Sequence, residues 1–282
     1  VTKDQKVSET LLYVVDIETA RLLMYNLDQP ALPFYFGEIR IKNADAPTGI
    51  LIYKNILYIA DILNSSIGIF DLTNQLSPNE VERITSPQLS APFEMIIHKK
   101  ILYVSSIGSG TIEMFDISNP TEPYYVGSIE DERLDSPSGL TKKGNIMYVS
   151  NIDSSTIDLF DMENPRKPVF IRKIENENLD VPFSIMVIDD ALYVANFRNN
   201  SITIFNVSLS TKLEFVSSLN GEDLDQPNGF AVFKNVLYVS NFNNGTIEMY
   251  DVSDPFSPNH IGQFNGFSVV IPVGLATYTY MQ

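Results

Sequence analysis

The chain has 282 residues, 44% of them hydrophobic, with 17 Phe, 14 Tyr and no Cys. The apolar content suffices for a large core, while the missing thiols exclude disulfides, thiolate metal sites and cysteine nucleophiles. A formal net charge of −16 repels phosphate backbones, so no nucleic-acid partner is expected, and no apolar run is long enough for a transmembrane segment.

The opening residues are polar and contain no basic-then-apolar leader. Because the chain begins on Val, removal of a leader upstream is compatible with the sequence. The first element expected is a strand, TLLYVVD (Thr10–Asp16). Its Leu-Tyr pair recurs every 45 residues, at Leu12-Tyr13, Leu57-Tyr58, Leu102-Tyr103, Met147-Tyr148, Leu192-Tyr193 and Leu237-Tyr238. Two further columns keep the same step: Pro47, Pro92, Pro137, Pro182, Pro227 and Pro272, and Tyr25, Phe70, Phe115, Phe160, Phe205 and Tyr250. Repeats of this length with regular columns are the signature of a modular fold.

The third copy shows the unit. PFEMII (Pro92–Ile97), KILYVSS (Lys100–Ser106), GTIEMFDI (Gly110–Ile117) and PYYVGSI (Pro123–Ile129) each read as a short strand, β-branched or aromatic and roughly alternating. Lys-rich pairs, Gly/Ser/Asn clusters and SNP or DP segments separate them as turns. No segment carries a helical apolar period. Four strands per 45-residue repeat in six copies predict an all-β fold, a six-bladed β-propeller of four-stranded blades. The whole of residues 1–282 is expected to form one such domain. The chain starts at the second strand of a blade and ends on a lone first strand, IPVGLATYTY (Ile271–Tyr280). The C-terminal strand is therefore expected to join the N-terminal blade as its innermost strand and close the ring, removing an open edge.

The aromatic columns are expected to pack between blades. The Asn26, Asp71, Asp116, Asp161, Asn206 and Asp251 column precedes a turn and predicts Asx turns. The face carrying the loops between blades and between second and third strands, here the upper face, is rich in Asp and Glu; the opposite face carries Lys54, Lys99, Lys100, Lys142, Lys143 and Lys234. Such an upper surface suits solubility, and equally suits attraction of cations or a basic partner.

Candidate site residues lie where the innermost strands begin and the second strands end. The first set gives Glu94 and Asn228, the second Asp16, Asp61, Asn151, Asn196 and Asn241. These oxygen donors are the candidate ligand-binding set at the channel mouth. Hard cations take six to eight oxygens, so a calcium ion in the central channel is one reading and satisfaction of loop amides the other. His98 and His260 are too few and too far apart for a histidine acid–base pair, no GxSxG motif occurs, and no catalytic residue is assigned.

LYVSNFNNGTIEMYDVSDPFSPNHIGQF resembles the LVIVD repeat, and LDQPNGFAVFKNVLYVSN resembles the NHL repeat. Both resemblances imply a propeller that binds a protein, glycan or small ligand, in bacteria often outside the cytoplasm. A secreted, periplasmic or cell-surface location is the corresponding expectation. PNGFAVFKNVLYVSN is also similar to the gluconolactonase and senescence-marker propellers, which hold calcium in the channel. That similarity places the metal-binding Asn on Asn228, whereas the residues following the other column prolines are Thr48, Phe93, Ser138, Phe183 and Val273. Two functions follow: a non-enzymatic scaffold binding through its upper face without a cofactor, or a calcium-dependent lactonase.

Overall fold

The computed structural model describes residues 8–265 and 269–281. It is all-β, with no helix among the described residues. Blade 1 is β1 (Ser8–Asp16), β2 (Arg21–Asn26) and β3 (Phe34–Arg40). Blade 2 is β4 (Pro47–Tyr53), β5 (Ile56–Asp61), β6 (Ser66–Asp71) and β7 (Asn79–Thr85). Blade 3 is β8 (Pro92–His98), β9 (Ile101–Ser106), β10 (Thr111–Asp116) and β11 (Tyr124–Ile129). Blade 4 is β12 (Pro137–Lys143), β13 (Ile146–Asn151), β14 (Thr156–Asp161) and β15 (Val169–Glu175). Blade 5 is β16 (Pro182–Ile188), β17 (Ala191–Asn196), β18 (Ser201–Asn206) and β19 (Glu214–Asn220). Blade 6 is β20 (Pro227–Phe233), β21 (Val236–Asn241), β22 (Thr246–Asp251) and β23 (Asn259–Asn265), and β24 (Pro272–Met281) returns to blade 1. Each blade is one four-stranded antiparallel sheet, and β24 pairs along β1 from Ser8↔Met281 to Asp16↔Pro272, closing the ring as the sequence predicts.

The columns explain the packing. All six repeat tyrosines are fully buried. Each hydroxyl donates to a carbonyl in the third-to-fourth-strand turn of the following blade: Tyr13 to Gln75, Tyr58 to Pro120, Tyr103 to Pro165, Tyr148 to Ser210, Tyr193 to Pro255 and Tyr238 to Pro30, at 2.5–2.9 Å. The last of these crosses the seam between chain ends. Ring burial thus joins neighbouring sheets while the polar tip stays satisfied. The second aromatic column packs edge-on against the fourth strand, as in Phe115–Tyr125 and Phe160–Phe170, and also joins the cluster of the preceding blade, as Phe70 does with Tyr13 and Leu22. The six Asx turns form as expected, each Asp or Asn accepting the amide two residues on at 2.7–2.9 Å.

Candidate functional site

Each innermost strand starts at its column proline on the upper face and runs down the axis. In β4, β12 and β20 the first four residues are buried and the last ones partly accessible. The ring is therefore tight above and wider below. Glycines set this taper: a Cβ on Gly49 or Gly229 would stand 2.0 Å from the carbonyl oxygen of Phe93 or Val273 in the next innermost strand, so only glycine permits the approach. Hydroxyls on innermost and second strands staple a blade to the innermost strand of the next. Thr48 donates to the Pro92 carbonyl, Ser105 to Ser138, Ser150 to Phe183 and Ser240 to Val273, at 2.6–3.3 Å. They satisfy carbonyls on strand edges that have no fifth strand to pair with.

Five of the seven candidate residues end second strands, one per blade, and each ties down the loop entering its own blade. The Asp16 carboxylate accepts amides of Glu18, Thr19, Val270 and Ile271. Asp61 accepts those of Asp45, Ala46 and Asn64. Asn151, Asn196 and Asn241 accept the amides of Asp135, Asp180 and Asp225, each at 3.1 Å, and turn their NH2 groups to Thr156, to Ser201 and Thr203, and to Thr246. All five are buried and their oxygens are engaged with backbone amides. They lie in five different blades, and among the described residues no hydrogen bond joins one to another.

Glu94 and Asn228 sit on innermost strands of blades 3 and 6. Asn228 is buried, accepts from the Ser240 hydroxyl at 2.8 Å, and its NH2 has no partner among the described residues. Glu94 lines a cavity of about 310 Å³ on the axis, with Ile50, Met95, Leu140, Ile185 and Phe230 among its walls. It is the one ionisable side chain in that lining. Protein surrounds it while its surface stays partly accessible to the channel space. Burial raises its carboxyl pKa to about 7, opposed by the Met95 amide, which donates to it. A carboxyl so placed can hold a proton near neutrality and donate it as a hydrogen bond, or pair with a cation that enters the channel.

Above this cavity lies a cluster that sequence reasoning only half anticipated. Phe93 and Phe183, starting β8 and β16, meet edge-on at 4.8 Å although β12 separates their strands. Phe183 stacks on Phe197 at 5.1 Å, and Phe197 meets Phe242 at 5.5 Å. The rings bridge blades 3, 5 and 6 over the upper end of the channel. Phe93 is buried, the other three partly exposed. Phe197 and Phe242 were visible as a departure within a column, for the residue after the second strand is Ile17, Ile62, Ile107 and Ile152 in the other blades.

Residues 108–131 match the LVIVD repeat family. That LVIVD segment comprises the hairpin before β10, β10 itself, its Asx turn and β11, so the match falls on the third and fourth strands of blade 3. No curated protein is similar in sequence. The chain is similar in structure to the propeller in a nidogen/laminin complex (TM-score 0.72, 13% identity, 95% of this chain and 98% of that one). It is also similar to the periplasmic gluconolactonase of Pseudomonas aeruginosa (TM-score 0.70, 16% identity, 98% and 86%) and to a 6-phosphogluconolactonase-like protein of Bacteroides fragilis (TM-score 0.68, 15% identity, 98% and 85%). These likenesses establish the fold; at such identities binding proteins and enzymes share it. No helix among the described residues is long and apolar enough to cross a membrane.

Proposed function

We propose that this propeller is a non-enzymatic binding module, located outside the cytoplasm, whose upper face receives a protein segment. The supporting observation is the Phe183–Phe197–Phe242 patch, partly exposed at the centre of a face whose loops carry Asp135, Asp180, Asp225 and their acidic neighbours. Aromatic centres inside a charged rim are where binding energy concentrates in protein interfaces. The acidic rim favours a partner bearing Lys or Arg beside apolar anchors. Selection of a random peptide display library on the purified chain tests this. Enrichment of basic, aromatic peptides whose binding is lost in a Phe197→Ala/Phe242→Ala variant is expected. No enrichment, or enrichment unaffected by that variant and by Asp135→Lys, Asp180→Lys and Asp225→Lys together, counts against it.

A second reading rests on Glu94: a titratable carboxyl at the head of the axial cavity, with Asn228 on the opposite blade, suits a calcium-dependent lactonase. Hydrolysis of glucono-δ-lactone above the uncatalysed rate, abolished by chelator and by Asn228→Ala, would support it; no rate above background removes it.

A further inference from the structure

Away from the channel, blade 6 gathers three metal-ligand side chains at its upper outer corner. Glu248 lies on β22, His260 on β23, and Asp223 on the loop from β19 to β20. One ligand atom from each lies within 4.8 Å of the other two. His260 Nε2 stands 2.9 Å from Glu248 Oε2, and its Nδ1 3.7 Å from Asp223 Oδ2. Glu248 is fully buried. Its second oxygen accepts from the Thr246 hydroxyl at 2.7 Å and the Asn241 NH2 at 3.3 Å, which holds Oε2 toward the imidazole. Asp223 and the imidazole are open to solvent, leaving a path for an ion and room for water.

The other blades act as internal controls at these positions. In blade 2 Glu80 takes the place of His260 beside Gly68, and Arg83 pairs with Glu80 while reaching toward Asp61. Blade 4 has Asp158 and Phe170, with Lys173 and Arg133 near enough to favour the charged carboxylate. Blade 5 has uncharged Thr203 and Phe215. Blade 3 also sets two carboxylates near each other, Glu113 and Glu130, with no ion-pair partner among the described residues, but Tyr125 stands there where blade 6 has His260. Blade 6 adds an imidazole donor to two carboxylates that have no Lys or Arg among their ion-pair partners in the described residues. A neutral imidazole leaves both charges uncompensated, one of them buried, which is costly. A divalent cation balances both.

We propose that Asp223, Glu248 and His260 bind a divalent transition-metal ion of the zinc type, with water completing its coordination. An imidazole donor favours such ions over calcium or magnesium, which prefer all-oxygen shells. Thr246 and Asn241 are positioning residues for the Glu248 ligand. The ion clamps the β19–β20 loop to the outer strands of blade 6, so it stabilises the fold without taking part in any reaction.

The test is calorimetric titration of the metal-free full chain with zinc chloride near pH 7, repeated with calcium chloride. The variants are His260→Phe, which installs the side chain that blades 4 and 5 carry there, and Asp223→Asn, a solvent-exposed change. One zinc per chain is expected, weakened at least about tenfold in each variant. The unfolding temperature should rise with zinc in the wild type and not in His260→Phe. If one variant fails to fold, the other carries the test. No binding at about 100 μM zinc, equal binding in a folded variant, or calcium binding as tight as zinc overturns the proposal.

Discussion

Blades 2 and 6 are built on one frame and each gathers two carboxylates at its upper outer corner, at different positions of the repeat, and they balance them differently. In blade 2 a single guanidinium, Arg83, bonds Glu80, Ser66 and the Lys42 carbonyl and faces Asp61. In blade 6 Glu248 has two neutral donors and one imidazole. Arg83 brings a permanent charge; His260 brings an imidazole that can also serve as a metal ligand. The repeat thus fixes backbone and core, and leaves the outer polar corner of each blade free to vary in charge.

The strongest way to break this contrast is to remove each cation in turn. Arg83→Met should cost about 2–3 kcal/mol in urea unfolding, because two carboxylates are left without their partner in a mostly buried site. His260→Phe in metal-free protein should cost less than about 1 kcal/mol. Equal costs would mean that His260 is as structural as Arg83.

Glu94 sharpens the contrast from the channel side, as a carboxyl with no cation at all in its cavity lining. Its pKa is raised from 4.5 to about 7 by burial. Between those values the folded chain keeps a proton that the unfolded chain has released. Folding stability from this group therefore falls as pH rises from about 4.5 to 7, by roughly 2–3 kcal/mol once channel water is allowed for. Subtracting the Glu94→Gln profile from the wild-type profile should expose this slope. A flat difference would mean that a cation or water already compensates the charge.

The shared frame predicts equality. Tyr58→Phe and Tyr238→Phe, in blades 2 and 6, should each cost about 1 kcal/mol, since each strands one carbonyl of the next blade. A larger cost for Tyr238, whose bond to Pro30 crosses the seam, would show that ring closure is the weaker joint. The smallest expected effect lies at Val181, a β-branched residue held at φ 55° where Ala91, Ser136 and Gln226 adopt the same turn. Val181→Asn should raise stability by about 0.5–1 kcal/mol, seen as a higher denaturant midpoint. No change or a loss would show that its side-chain packing outweighs the backbone strain.

Much of the fold was written in spacing. The Leu-Tyr, Pro and aromatic columns and the split blade at the termini specify blade number, strand order and closure, because the side-chain period of a strand and the step between blades are both fixed by backbone geometry. The Asx turns were equally legible, since an Asp or Asn side chain reaches its own backbone two residues on. The candidate site was legible only in part. Glu94 and Asn228 lie on innermost strands as expected, but Asp16, Asp61, Asn151, Asn196 and Asn241 turn into their own loops, and whether an oxygen faces a channel or an amide is decided by contacts 15 or more residues distant. The Phe93–Phe183 contact joins blades that are not neighbours, and Asp223, Glu248 and His260 come from three separate segments. Sequence by itself determined what repeats, because local geometry repeats with it. The tertiary structure decided what converges, because convergence depends on how six twisted sheets are set around one axis.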